Sequence, residues 1–100
     1  MDKLNKNKEF KFMALVNIEN KSFLNDPEGE TILNDLILRG GYNNITSVRT
    51  AKSLKIELFA RDIGEAKSKV KEMCDDLRIF NPIVSDCQIS VKKIVFENTI

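Results

Sequence analysis

Apolar residues alternate near the start of the chain. Phe10, Phe12, Ala14, Val16 and Ile18 take every second position, with Lys11, Met13, Leu15 and Asn17 between them. Period two predicts a strand over 10–18. Met13 and Leu15 make its middle apolar on the second face too, the mark of a strand that is central in a layered domain or covered by a second molecule. The period then lengthens. Ile32, Leu33, Leu36 and Ile37 recur at one-and-four spacing, which predicts an amphipathic helix. Leu24-Asn25-Asp26-Pro27-Glu28-Gly29 precedes it. There Asp26 acts as a turn residue or N-cap, Pro27 presets φ for the turn or the first helical position, and Gly29 tolerates the bend. Gly40-Gly41 stops the helix, with one glycine in the left-handed position beyond its end.

Residues 45–52 and 54–60 read as the two strands of a hairpin, with Leu54, Ile56, Leu58 and Ala60 on one face of the second. The turn between them, Thr50-Ala51-Lys52-Ser53, holds neither Gly nor Asn, so a tight primed turn is poorly supplied. Asp62, with Glu65 three residues on, opens a second helix. Ile63, Ala66, Val70, Met73, Cys74 and Leu77 form its apolar face; Glu65, Lys67, Lys69, Glu72 and Asp76 form its solvated one. Asn81-Pro82 ends it, because a residue before proline is pushed out of the α region. A last strand is expected over 86–96. Cys87, Ile89 and Val91 alternate, but Ile94, Val95 and Phe96 are apolar in succession. Three neighbours cannot share one face of a pleated strand, so a bulge, a bend or a partner chain is implied.

The order is β-α-β-β-α-β. The economical α+β solution is ferredoxin-like: a four-stranded antiparallel sheet backed by two helices. The surplus apolar faces of strand 1 and the C-terminal strand predict that two copies join or share strands there in a dimer. One hundred residues make a single domain. We place it at 9–97, between a loosely ordered tail over 1–8 and a short tail over 98–100.

Charge and motifs narrow the function classes. A net charge of +1 is too small for a nucleic-acid binder, and Phe10, Phe12 and Phe59 belong to no RNP-like run. No apolar leader follows the first lysines, and no run is long enough to span a membrane, so a cytoplasmic chain is expected. Without histidine there is no His-based acid–base or triad chemistry. Gly40-Gly41-Tyr42 is a helix stop, not a phosphate cradle. Asp75 and Asp76 sit on different helix faces and do not converge on a metal. Cys74 and Cys87 are too few to hold structural zinc; both fall on apolar faces and read as small buried hydrophobes before a redox pair. Arg49 and Lys52 could hold an anion, but a lone pair of cations reads as surface. The residues alone describe a non-catalytic α+β domain with surplus apolar surface.

Three segments add to this: LNDPEGETI (24–32), GYNNITSVRTAKSLKIEL (41–58) and VKEMCDDLRIFNPIVSD (70–86). In order and spacing they resemble the PurS family, the small subunit of phosphoribosylformylglycinamidine synthase, whose pattern reads LDPQG, then GY and VR.GK..EL, then EMC.KLL.NPVIEDY. Ala51 departs from the family's Gly, Arg78 and Phe80 from Leu and Ala, and Ser85 and Cys87 from Glu and Tyr. The resemblance implies a non-catalytic subunit of a complex making formylglycinamidine ribonucleotide from formylglycinamide ribonucleotide, ATP and glutamine. It implies a homodimer or dimer of dimers that bridges a large synthetase subunit and a glutaminase subunit and supports ammonia transfer. No cofactor is expected on this chain, with ATP and Mg on the large subunit. The candidate interface or structural residues are Phe12, Leu15, Asp26, Pro27, Gly29, Arg49, Lys52, Asn81, Pro82, Ile94 and Phe96. Of these, Arg49, Lys52 and Asn81-Pro82 are expected on partner-facing or turn surfaces, not in a substrate site. The competing reading is a small dimeric ferredoxin-like ligand sensor, disfavoured because the loop over 20–27 has no glycine.

Overall fold

A computed structural model describes residues 8–95 of the chain. Residues 1–7 of the expected tail over 1–8, the expected tail over 98–100, and Phe96 lie outside the described residues. Strand β1 (Phe10–Asn20) leads into helix α1 (Pro27–Thr31), which continues as a π-helical segment over Ile32–Leu38. Strand β2 (Lys52–Ala60), helix α2 (Ile63–Asp76) and strand β3 (Ser85–Lys93) follow.

The sheet has three described strands, not four, in the order β2-β1-β3, and both pairings are antiparallel. β1 is therefore central, as its apolar middle predicts. The unit β2-α2-β3 is a split βαβ with β1 inserted between its two parallel strands. The expected hairpin does not form, because residues 45–51 are not a strand. β1 already has both edges bonded, and the stretch before β2 is held by side-chain hydrogen bonds to a different part of the chain. Both edges of β1 are thus bonded within the chain, and the outer edges of the described sheet belong to β2 and β3.

One face of the sheet is the core. Phe12, Ala14, Val16 and Ile18 of β1 are buried there with Ala60 of β2 and with Ala66, Val70 and Cys74 of α2. The three α2 residues are four apart, so one line along the helix meets the sheet. Alanines at positions 14, 60 and 66 let helix and sheet approach closely. Leu54, Ile56, Ile89, Val91 and Cys87 close the flanks. The buried line is narrower than the expected apolar face: Ile63 is 53% and Leu77 63% exposed. The opposite face of the sheet has no helix on it among the described residues. Met13 and Leu15 lie there between Glu57, Lys55, Lys92 and Ser90 of the neighbouring strands.

The helix boundaries follow from capping. The Asp62 carboxylate accepts the Glu65 N–H at 2.8 Å. Glu65 in turn accepts the Arg61 N–H at 2.6 Å and the guanidinium at 2.9 Å, a capping box shifted back by one residue. α2 ends earlier than Asn81-Pro82 alone would suggest. Arg78 adopts φ 54°, the Ile79 N–H donates to the Cys74 carbonyl at 3.0 Å and the Arg78 N–H to that of Asp75. This is a Schellman closure with arginine where glycine is usual. The π-helical segment closes the same way, with Gly41 at φ 98° and the Tyr42 N–H on the Ile37 carbonyl.

The expectation of two helices backing the sheet is corrected to one. Neither α1 nor its π-helical continuation lies against a strand or against α2. Within Ile32–Leu38 no residue is buried.

Candidate functional site

The most constrained polar arrangement lies where β1 passes into α1. Asp26 is the N-cap of α1, and Pro27 occupies its first turn. The Asp26 carboxylate accepts the Gly29 N–H at 3.0 Å, the Thr50 N–H and the Thr50 hydroxyl at 2.9 Å. These bonds, the Thr50 backbone first, hold the Asp26 carboxyl below the usual carboxylate range. Arg49 completes the clasp: its guanidinium donates to the carbonyls of Leu24 at 2.7 Å and of Asn20 and Lys21 at 3.1 Å. Gly29 is buried because the Val48 carbonyl passes over it. Asp26, Gly29, Arg49 and Thr50 thus tie the segment before β2 to the base of α1, and the tie sets the direction in which α1 leaves the sheet.

The other sequence-selected residues disperse. Phe12 is in the core, with Ala60 and Ala66. Leu15 is on the open sheet face, 38% exposed. Lys52 is the exposed first residue of β2. Asn81 builds a turn: its side-chain oxygen accepts the Ile83 N–H at 3.0 Å and its carbonyl accepts the Ser85 N–H at 2.8 Å. Pro82 is exposed beside it. Ile94 extends the β3–β1 ladder by donating its N–H to the Lys11 carbonyl at 2.8 Å. Thr50 is a clasp residue that sequence reading passed over. A hydroxyl next to the arginine was the available signal, but its partner is 24 residues away.

The arrangement contains three kinds of surface. The first is the clasp, whose polar groups are engaged with each other. The second is the apolar stripe Ile32, Leu33, Leu36 and Ile37, with Leu36 65% exposed. The third is the tip between α2 and β3, where Leu77, Ile83 and Val84 are exposed. Among the described residues no group of three or more His, Cys, Asp or Glu side chains gathers at one point.

Comparison with known proteins identifies the fold's kin. The PurS family, described as Phosphoribosylformylglycinamidine (FGAM) synthase, matches residues 13–93. The chain belongs to the PurS family. The phosphoribosylformylglycinamidine synthase subunit PurS of Methanocaldococcus jannaschii is 36% identical over 83% of this chain and 98% of its own length. The crystal structure of Methanocaldococcus jannaschii PurS, one of the subunits of formylglycinamide ribonucleotide amidotransferase, superposes with a TM-score of 0.71 at 33% identity, over 84% of this chain and 99% of that one. A chain in the structure of PurLQS from Thermotoga maritima superposes at 0.68 with 26% identity, over 84% of this chain and 98% of its own. The protein is thus a PurS subunit of FGAM synthase in purine biosynthesis. The three-stranded α+β domain is the PurS fold.

Proposed function

We propose that this chain acts as the assembly piece of its synthase: it self-associates and bridges a large ATP-dependent synthetase subunit and a glutaminase subunit, supporting ammonia transfer between them. The observation that carries this is the stripe on Ile32–Leu38, which no strand and no other helix among the described residues covers and which leaves Leu36 exposed. An amphipathic helix needs an apolar surface to cover its stripe. A three-stranded sheet with one covering helix is also a thin core for a domain of this size, and association is the usual remedy. The likeness to a chain of the Thermotoga maritima PurLQS structure supports a multi-subunit setting.

The self-association uses the outer edge of β3, together with the apolar stripe on Ile32–Leu38. In this reading ATP and Mg belong to the large subunit, and this chain holds neither. No described helix is long and apolar enough to cross a membrane, and the cytoplasm is the compartment the reading requires. Two measurements test it. Sedimentation at micromolar concentration should give a dimer or tetramer, and a monomer refutes the self-association. A pull-down from the native cell should recover a large synthetase and a glutaminase, and their absence refutes the bridging role. The chain alone should turn over neither ATP nor glutamine.

A further inference from the structure

The two cysteines are 13 positions apart in sequence, one on α2 and the other on β3. Cys74 is on the buried line of α2, 1% exposed. Cys87 is opposite Ile18 in the sheet register, on the face that α2 covers, and packs against the cluster that contains Cys74. Both thiols are free, and both line one cavity of about 350 Å³ between α2 and β3, with Lys71, Asp75, Phe80 and Gln88 at its wall. Cys87 is half-buried, so the cavity gives a small reagent access to it. Each thiol feels the other, and burial pushes both above the ordinary thiol range. A core needs neither residue to be cysteine, since any small apolar side chain fills such a position.

We infer that Cys74 and Cys87 form a redox-controlled pair, oxidised by a low-molecular-weight disulfide to a cross-link that staples α2 to β3. The Cys87 thiolate attacks one sulfur of the small disulfide. That S–S bond breaks, a mixed disulfide forms on Cys87, and the departing thiolate takes a proton from water. Cys74, having lost its proton to solvent, attacks the Cys87 sulfur and expels the second small thiolate, which is protonated in turn. Two protein thiols are oxidised, and one small disulfide is reduced to two thiols. Because burial disfavours both thiolates, the pair resists reaction near neutrality and reacts faster as pH rises. The cross-link closes the chain over the Schellman end of α2 and the Asn81 turn, which are the segments near the exposed tip. Oxidation therefore restrains that surface and stabilises the helix-to-strand junction through the unfolded state.

The test uses the full reduced chain, freed of reductant and incubated without oxygen with oxidised glutathione. The reaction is quenched with a thiol-alkylating reagent under denaturing conditions and weighed by mass spectrometry. The expected product has no alkylatable thiol and no attached glutathione, with two glutathione thiols released per chain. Cys74→Ser should stop at a single glutathione on Cys87. The oxidised wild type should unfold at higher urea than the reduced chain, and dithiothreitol should reverse the difference. A wild-type product that retains glutathione overturns the inference. So does a disulfide between two chains, or an oxidised chain that unfolds at the same or lower urea.

Discussion

Adding one methyl group at Gly29 tests the clasp directly. A Cβ on Gly29 would run into the Val48 carbonyl oxygen and stand 3.0 Å from the Val48 carbonyl carbon and 3.1 Å from Asp26 Oδ2. Two of these three atoms are backbone, so no side-chain rotation relieves the overlap. The segment over 46–50 must retreat and carry Thr50 away from Asp26. Overpacking of this kind costs about 1–3 kcal/mol. Against it stands the preference of a helical position for Ala over Gly, up to about 1 kcal/mol. The net expectation for Gly29→Ala is a loss of about 1–2 kcal/mol. Gly64, near the start of α2, is the internal control. Its added Cβ would meet only Asp62 Oδ1, at an ordinary 3.4 Å, so Gly64→Ala should gain about 0.5–1 kcal/mol. The two variants carry the same chemical change and should move in opposite directions. Urea unfolding followed by far-ultraviolet circular dichroism measures both, with an unchanged slope as the sign that only stability has moved. Hydrogen exchange at the Thr50 amide should quicken in Gly29→Ala alone. A Gly29→Ala midpoint at or above that of the wild type would show that the clasp does not constrain the segment before β2, and the reasoning fails.

Acid should loosen the same region. The folded-state pKa values of Asp26 and Glu65 are both depressed, Asp26 by its bonds from Thr50 and Gly29, and Glu65 first by the Arg61 backbone N–H and then by its guanidinium. The stability they contribute is complete above the ordinary carboxylate range and is lost as pH falls through it towards their folded values; Asp26→Asn should flatten the acid limb of a stability–pH curve. Arg78→Gly relieves a left-handed residue at the end of α2 and should raise stability by about 1 kcal/mol in denaturant titration. Val70→Ala removes two buried carbons from a side chain that is 1% exposed and should cost about 2–3 kcal/mol, with the cavity adding to the transfer loss. Leu36→Ser should shift gel-filtration elution towards the monomer and make the unfolding midpoint lower and less dependent on protein concentration than that of the wild type.

Much of this domain is legible in its sequence because the information is local. Period two marked β1, and Asp62 with Glu65 marked the start of α2. Asp26-Pro27 marked the start of α1, and Gly40-Gly41 the end of its π-helical continuation. The three family segments marked the kinship. The apolar run at Ile94 also has a local outcome: Ile94 keeps the ladder going to Lys11. What misled was arithmetic that treated every apolar stretch as a layer of one sheet. Residues 45–51 have strand-like composition, yet Arg49 and Thr50 find better partners in the Asn20–Leu24 carbonyls and Asp26. Those partners are distant in sequence, so no window around 45–51 contains the competition.

The sequence by itself determined β1, the starts of both helices, the existence of the last strand and the family, because capping, periodicity and turn chemistry act over a few residues; it did not determine that residues 45–51 are no strand. Only the tertiary structure decided how they are arranged. β1 was placed between β2 and β3, which satisfies its apolar middle and leaves both of its edges bonded within the chain. α2 alone was given the core face, with alanines at 14, 60 and 66 setting the approach. α1 was turned away from the sheet by an aspartate and an arginine whose partners lie at the other end of a loop. Cys74 and Cys87 were brought into one cavity. Each of these outcomes depends on groups more than ten residues apart competing for the same hydrogen bond or the same buried surface, and that competition is resolved in three dimensions.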